Sequence, residues 1–283
     1  MKYLIVNADD FGLTSGVNRA VIEAHTGGIL TSATLMANMP AFDEAVRLAK
    51  AHLSLGVGLH FNITQGFPIA NSSNVSSLLN EQGAFLGTST ALLRRWLNGR
   101  LRIQDIEIEL RAQIETVIQA GLRLTHIDSH KHSHVLPPVC QAIATTIDDY
   151  GIKAVRLPRE LWRFPRHRPS AKLIFQSLSA LGLAQLCRLS KTRLNNKTTD
   201  AFVGVAQTGF WSKHWLLEVI RTLPFGITEL MTHPGYDDAE LGQVKTRLLE
   251  SRANELELLT DPEVIATVRE NHIELISYAQ FDR

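Results

Sequence analysis

The chain of 283 residues has an ordinary composition: 45% of its residues are hydrophobic, 20% are charged, and the net charge is +1. These values exclude a disordered, collagen-like or strongly charged protein. The near-neutral total also argues against a nucleic-acid partner. The two cysteines form no CxxC pair, so we expect no disulfide framework.

No stretch of the sequence reaches the ~18 continuous apolar residues that a membrane-spanning helix requires. The N-terminal segment becomes acidic at Asp9 and Asp10, which is too early for the apolar part of a signal peptide. We therefore expect a cytoplasmic protein. A homodimer is the expected oligomeric state, because dimers are the commonest soluble oligomers.

Eight short apolar segments, mostly bounded by Gly, Pro or polar residues, predict β-strands. They are Tyr3–Asn7, Ser32–Ala37, Gly56–Phe61, Leu124–Asp128, Ala154–Leu157, Ala201–Ala206, Ile227–Thr232 and Ile273–Ser277. Helical patterns lie between them at Ser15–Thr26, Ala41–His52 and Ile103–Ala120, and a final helix begins after Asp261. This α/β alternation indicates a parallel sheet, and about eight units in this length favour a (β/α) barrel of the TIM type, complete, distorted or incomplete.

The chain has no internal repeat and no low-complexity linker, so the sequence predicts one domain over residues 1–283. Two stretches interrupt the alternation. Residues 67–99 have the composition of a loop, with several Asn, Ser and Gly, and residues 159–197 form a predicted insertion.

The insertion is basic. Residues 153–197 contain eleven Lys or Arg and one acid, Glu160, which gives a local charge of +10. Apolar residues between positions 172 and 189 predict a basic amphipathic helix, or two short helices broken near Gly182. Such a segment could contact an anionic membrane or a lipid-linked glycan. We favour the alternative, in which the insertion packs on the barrel mouth or on a dimer partner.

The unusual polar residues follow the predicted strands, and active sites of (β/α) barrels lie at those carboxyl ends. Asp9 and Asp10 end the first strand. Adjacent carboxylates are costly to bury unless a cation or a proton relieves their repulsion. A helix cap plus a loop acid is the alternative. His60 ends the third strand, and His233 ends the seventh strand in a rigid Pro-Gly turn.

The fourth predicted strand leads into a dense cluster of polar residues: His126, Asp128, His130, His132 and His134. Period two would place all five side chains on one side of an extended segment, whereas a turn near residue 130 would split them. Imidazole is a common ligand of Zn²⁺ and other first-row divalent ions. A solvated His-rich loop is the alternative.

Arg156 follows the fifth strand and could hold a carboxylate through two parallel hydrogen bonds. A surface arginine in a basic stretch is the alternative. Taken together, the strand ends predict an open metal site in which one Asp and two His leave a position for water. A spare Asp could then act as general base and a spare His as general acid.

The order and spacing of four motifs resemble those of the YdjC-like carbohydrate deacetylases. The motifs are Asn-Ala-Asp-Asp-Phe-Gly, Gly-Leu-His60, the His126–His134 cluster and Thr232-His233-Pro-Gly. This family includes chitooligosaccharide deacetylase and the hopanoid-biosynthesis-associated deacetylase. The resemblance extends from Lys2 to about Tyr278 and implies a barrel related to polysaccharide deacetylases. In the middle of the His126–His134 cluster, Lys131 resembles the hopanoid-associated branch more than the chitooligosaccharide branch.

The resemblance implies roles for individual residues. Asp10, His60 and His130 would hold one divalent metal ion, with Zn²⁺ expected and Mg²⁺ as an alternative. Asp9 would be the base and His233 the acid, although Asp9 and Asp10 could exchange roles. We expect Arg156 to belong to the catalytic group. The expected substrate-binding residues are Asn62, Asp128, His132 and His134.

The predicted function is metal-dependent hydrolysis of the N-acetyl group of an amino sugar, with release of acetate. The sugar could belong to an oligosaccharide or to a glycosylated lipid such as a hopanoid. One alternative is another metal-dependent hydrolase, an amidohydrolase or a phosphoesterase. A phosphoesterase usually has two metals and more carboxylates. A second alternative is a non-catalytic barrel that binds a glycan or a lipid.

Overall fold

A computed structural model describes residues 1–160 and 198–281, together with Gly182, Gln185 and Leu194. Most of the predicted basic insertion, residues 159–197, lies outside the described residues. Its amphipathic helix and its membrane contact therefore stay predictions, as does the single domain.

All eight predicted strands are confirmed, and every pairing among them is parallel. The strands are β1 (Lys2–Phe11), β2 (Ser32–Leu35), β3 (Gly56–Phe61), β4 (His126–Ser129), β5 (Ala154–Val155), β6 (Ala201–Val203), β7 (Gly226–Thr232) and β8 (Ile273–Leu275). Their order is β5-β4-β3-β2-β1-β7-β6, and β8 pairs with the first residues of β1. Among the described residues, only one bridge, Glu160 to Phe202, links the β5 side to β6. The sheet is thus an incomplete (β/α) barrel.

Within residues 1–160 and 198–281, eight α-helices surround the sheet. They are α1 (Ser15–Gly27), α2 (Phe42–Ala51), α3 (Ser89–Leu97), α4 (Ile103–Gln119), α5 (Pro137–Thr146), α6 (Lys213–Arg221), α7 (Glu250–Thr260) and α8 (Pro262–Glu270). Side-chain caps fix several of their starts. The Thr14 hydroxyl accepts the backbone N–H of Val17, and the Asp261 carboxylate accepts those of Glu263 and Val264.

The expectation of a loop over residues 67–99 is wrong for its last third, which forms α3. The Thr88 hydroxyl accepts the Ala91 N–H and starts the helix, and Leu92 is fully buried in the core. Short 3₁₀ turns occupy Ser72–Asn74 and Ser76–Leu78. The Asn, Ser and Gly residues of this stretch concealed the helical spacing of its apolar side chains.

Side chains along the strands alternate between the helices and the barrel interior. In β1, Leu4, Val6 and Ala8 belong to the large hydrophobic core under the helices. Ile5 instead packs with Tyr278 and other residues of the C-terminal segment inside the barrel. The same alternation sends Asn7 and Asp9 of β1 inward, where predicted site residues of other strands also lie.

Gly58 in β3 leaves room for the buried ring of His126. A Cβ atom at Gly58 would lie 2.5 Å from the His126 ring, which is itself stacked on Tyr278. We expect Gly58→Ala to lower the free energy of unfolding by about 1–3 kcal/mol through overpacking, as measured by urea denaturation. The control is Gly27→Ala at the end of α1, where a Cβ atom meets nothing within 4 Å. Equal effects of the two substitutions would contradict this packing.

Candidate active site

Asp9 and Asp10 both reach the carboxyl ends of the strands because the backbone of β1 is irregular there. Neighbouring residues of a regular strand point to opposite faces. Asp10, however, has a φ of 66°, and the pairing of β1 with β2 shifts register between Ala8 and Phe11. Such irregularities re-aim a side chain, and Asp tolerates the left-handed region better than most residues. The result is two adjacent buried carboxylates on the same side of the sheet.

Asp10, His60 and His130 bring three potential metal ligands together. Each offers one ligand atom, and these atoms lie within 4.8 Å of one another. The Asp10 Oδ1 atom is 3.4 Å from His60 Nε2 and 3.1 Å from His130 Nδ1. His60 comes from the end of β3, and His130 follows β4. The fold therefore brings together the three residues predicted as metal ligands.

Asp128 fixes the orientation of the His60 ring. Its Oδ1 atom lies 2.7 Å from His60 Nδ1, so Nε2 faces Asp10. A carboxylate behind a histidine is the usual arrangement around metal-binding imidazoles. Burial opposes the charged form of His60, but the carboxylates, with Asp128 foremost, raise its pKa to about 10. The carboxylates around the His60 ring therefore favour a positive charge at this point of the site.

Asp9 is held by Arg156 in a two-point ion pair. The guanidinium Nη1 and Nη2 atoms donate to the two carboxylate oxygens at 2.7 and 2.6 Å. Burial alone would raise the pKa of Asp9, but the charge of Arg156 outweighs this effect and holds the pKa below its ordinary value. Asp9 is therefore a carboxylate at neutral pH, with its orientation fixed.

Arg156 is fully buried, so it is not a surface arginine. Besides Asp9, its guanidinium contacts Asp128 at 2.5 Å and Glu229 at 2.7 Å. Asp9, His60 and Asp128 form a second group that could hold a cation. The guanidinium of Arg156 already contacts two members of that group.

His233 lies at the end of β7, with Nε2 3.8 Å from the Asp9 carboxylate. Its backbone N–H donates to Glu255 at 2.6 Å. Burial lowers the pKa of His233 to about 4, although Asp9 and Asp10 oppose this shift. The ring is therefore neutral at pH 7.

Helix α7 supplies two buried charged residues that sequence reasoning missed. Arg252 donates to the Asp10 carboxylate at 2.5 Å, and Glu255 accepts the His233 N–H. Both are at most 1% exposed. They lie on the same side of α7 as the buried Leu256 and Leu259, and charged residues on an apolar helix face were the signal that could have identified them.

The His126–His134 cluster is split, because β4 ends at Ser129 and a 3₁₀ turn follows. Lys131 and His132 have φ values of 56° and 53°. His132 lines the cavity described below, whereas the buried His134 ring contacts the Ser129 hydroxyl at 2.7 Å. His126 points into the barrel instead. Only part of the cluster thus faces the site.

The side chain of Asn62 holds the loop after β3. Its amide donates to the Asn38 carboxamide and the Gln65 carbonyl, and its oxygen accepts from the Thr64 and Gln65 backbone. Asn62 is fully buried and does not line the cavity. Its placement suits a residue that shapes the loop.

A cavity of about 1100 Å³ opens at the carboxyl ends of the strands. Asp9, Asp10, His60, His130 and His233 all line it. The rest of its lining includes apolar side chains, from Val205, Phe210, Met231 and Leu248, and basic side chains, from Lys131, Lys245 and Arg247. The cavity is large enough for more than one sugar ring, because typical ligand sites occupy ~300–1,000 Å³.

Fold and site together define an incomplete (β/α) barrel with a potential metal site at the carboxyl ends of its strands. The profile of the YdjC-like protein family matches residues 3–270. The chain belongs to this family, as the motifs predicted.

Relatives and a solved structure agree with this assignment. A carbohydrate deacetylase from Geobacillus stearothermophilus is 38% identical, over 99% of this chain and 98% of its own length. A carbohydrate deacetylase from Mus musculus is 32% identical, over 99% of this chain and 94% of its own length. A solved Enterococcus faecalis structure, named for cellobiose-phosphate cleavage, superposes with a TM-score of 0.77 at 27% identity. The superposition covers 98% of this chain and 97% of the Enterococcus faecalis chain.

Proposed function

We propose that this protein is a metal-dependent carbohydrate deacetylase that hydrolyses the N-acetyl group of an amino sugar and releases acetate. The observation that carries the proposal is the convergence of Asp10, His60 and His130 beside the Arg156-held Asp9 and His233, in one cavity. The names of the relatives support the reaction class.

The donor set fits one divalent cation. One carboxylate and two imidazoles are ligands typical of Zn²⁺ sites, and three such ligands leave a position open. We propose Zn²⁺ as the ion, with Mg²⁺ as the alternative. When bound, the ion would polarise the acetamide carbonyl and make the attacking water more acidic.

The residues of the chain would supply the proton transfers. Asp9, ionised and held by Arg156, would accept the proton of the attacking water. His233 begins neutral, so it must gain a proton before it can donate one. Because its Nε2 lies 3.8 Å from Asp9, the proton taken up there is available to the ring. His233 would then protonate the departing amine.

We expect one metal ion per chain. The second acidic group shares His60 with the first, and the Arg156 guanidinium lies between its two carboxylates, as close as 2.5 Å to Asp128. Isothermal titration of metal-free protein with Zn²⁺ should therefore give a stoichiometry of about one. Two tight equivalents per chain would contradict this assignment. They would instead favour the two-metal phosphoesterase alternative.

The substrate class is tested by acetate release from two probes, triacetylchitotriose and a lipid that carries N-acetylglucosamine. Faster release from the first supports an oligosaccharide deacetylase, and faster release from the second supports a glycolipid or hopanoid deacetylase. Release from neither would overturn the proposed function and favour a glycan- or lipid-binding barrel.

No helix among the described residues is long and apolar enough to cross a membrane. A peripheral contact of residues 159–197 with an anionic membrane, the cytoplasmic location and the homodimer remain proposals.

A further inference from the structure

A chain of buried contacts leads from the proposed base toward the opposite end of the barrel. Arg156, which holds Asp9, donates through its Nε atom to Glu229 Oε1 at 2.7 Å. The other Glu229 oxygen accepts the hydroxyl of Tyr278 at 2.6 Å. Glu229 is fully buried and Tyr278 is 1% exposed. The proposed proton transfers use neither side chain.

The contacts return to Asp9 by a second route. The Tyr278 ring stacks on His126, with ring centroids 3.8 Å apart and an interplanar angle of 16°. His126 Nε2 lies 3.0 Å from the Asn7 side-chain oxygen, and the Asn7 amide donates to Asp9 Oδ1 at 3.2 Å. Burial holds the pKa of His126 well below its ordinary value, so this ring is a neutral partner. The six side chains form a closed ring.

The C-terminal segment Ser277–Phe281 packs closely beside this ring of side chains. Ser277 caps its single turn, and a Cβ atom at Gly56 would lie 2.9 Å from the Ser277 Cβ atom. The Tyr278 N–H donates to the Ser32 hydroxyl at 3.2 Å. Phe281 packs beside Tyr278 and is 1% exposed. The segment lies beyond residues 3–270, the range that the family profile matches.

We propose that the segment Ser277–Phe281 is a positioning element of the catalytic site, and that Tyr278 orients Asp9 through Glu229 and Arg156. This inference rests on the proposed function. A fully connected buried polar network fixes the geometry of all its members, so removal of one hydrogen bond loosens the others. Without the Tyr278 hydroxyl, Glu229 loses a donor and the Arg156 guanidinium is less firmly held. The burial of Tyr278 beside Glu229 also keeps its pKa well above the ordinary value, so the phenol remains a donor.

The test compares the steady-state kinetics of acetate release by Tyr278→Phe and wild-type protein, on the faster of the two probes named above. We expect kcat to fall about tenfold, with KM and the Zn²⁺ content unchanged, because a geometric change at Asp9 affects the chemical step. Glu229→Gln tests the same connection from its other side. The double variant should lose no more activity than the less active of the two single variants, because both changes act on the same route from Tyr278 through Glu229 to Arg156.

Tyr150→Phe is the matched control. The Tyr150 hydroxyl also donates to a glutamate, Glu115, at 2.7 Å, but this pair is exposed. Its kcat should equal that of wild type. If the wild type is active and both Tyr278→Phe and Glu229→Gln have the same kcat as the wild type, this inference is wrong, but the proposed function stands. An inactive wild type overturns the proposed function, and the inference with it.

Discussion

Replacement of His60 by alanine is expected to abolish both metal binding and acetate release. His60 is one of the three proposed ligands, and it is the one whose ring Asp128 holds at 2.7 Å. Stabilisation by a bound metal is worth several kcal/mol in the transition state, so its loss corresponds to about a 10⁴-fold fall in kcat/KM. Metal content by mass spectrometry and acetate release measure the two effects.

His214→Ala is the control for this substitution. His214 lies on α6, outside the cavity lining, and its side chain is 70% exposed. This variant should retain metal and activity. A His60→Ala protein that binds one Zn²⁺ and works at the wild-type rate would contradict the proposed ligand set.

Replacement of Asp9 by asparagine is expected to separate catalysis from metal binding. Asparagine has almost the shape of aspartate but cannot accept a proton from water, and its amide cannot match the two-point contact with Arg156. We expect kcat to fall by about 10³–10⁴-fold, near the upper end of what a general base contributes. Zn²⁺ content should stay at the wild-type level, because Asp9 is not among the proposed ligands.

Asp105→Asn is the matched control for the Asp9→Asn substitution. Asp105 is also a buried carboxylate that accepts two hydrogen bonds from one arginine, Arg102, at 2.8 and 2.9 Å. It lies outside the cavity lining, so its substitution should affect stability but leave kcat unchanged. Loss of Zn²⁺ together with activity in Asp9→Asn would instead support the exchange of roles between Asp9 and Asp10.

The strands were predictable because each has an apolar side that faces a large core. In β3, Val57, Leu59 and Phe61 pack against the helices, so the alternate residues, including His60, must point inward. The same alternation favours an inward position for His60 and Asp9, whereas for Arg156 the sequence left a surface position open until the structure showed its burial.

The direction of Asp10 was not predictable in the same way. Strand alternation would send it to the face opposite Asp9, and only its positive φ brings both carboxylates to the cavity. The residue pattern does not predict this irregularity of the backbone. The resemblance to the family supplied the ligand assignment instead.

The histidine cluster shows a second limit. Its members follow one another in the sequence but have separate environments: His126 stacks on Tyr278, His130 meets Asp10, and His134 contacts Ser129. The turn that separates them depends on left-handed backbone at two positions. The apolar face of α7 marks Arg252 as a buried charge, but no local pattern pairs it with Asp10, which is 242 residues away.

The most direct test of the proposed deacetylase measures acetate release by metal-free protein before and after addition of one equivalent of Zn²⁺, with both probe substrates. We expect negligible acetate without metal and restored turnover on at least one probe with it, and no restoration in His60→Ala. Full turnover by protein verified to be metal-free, or no acetate from either substrate after reconstitution, would contradict the proposal.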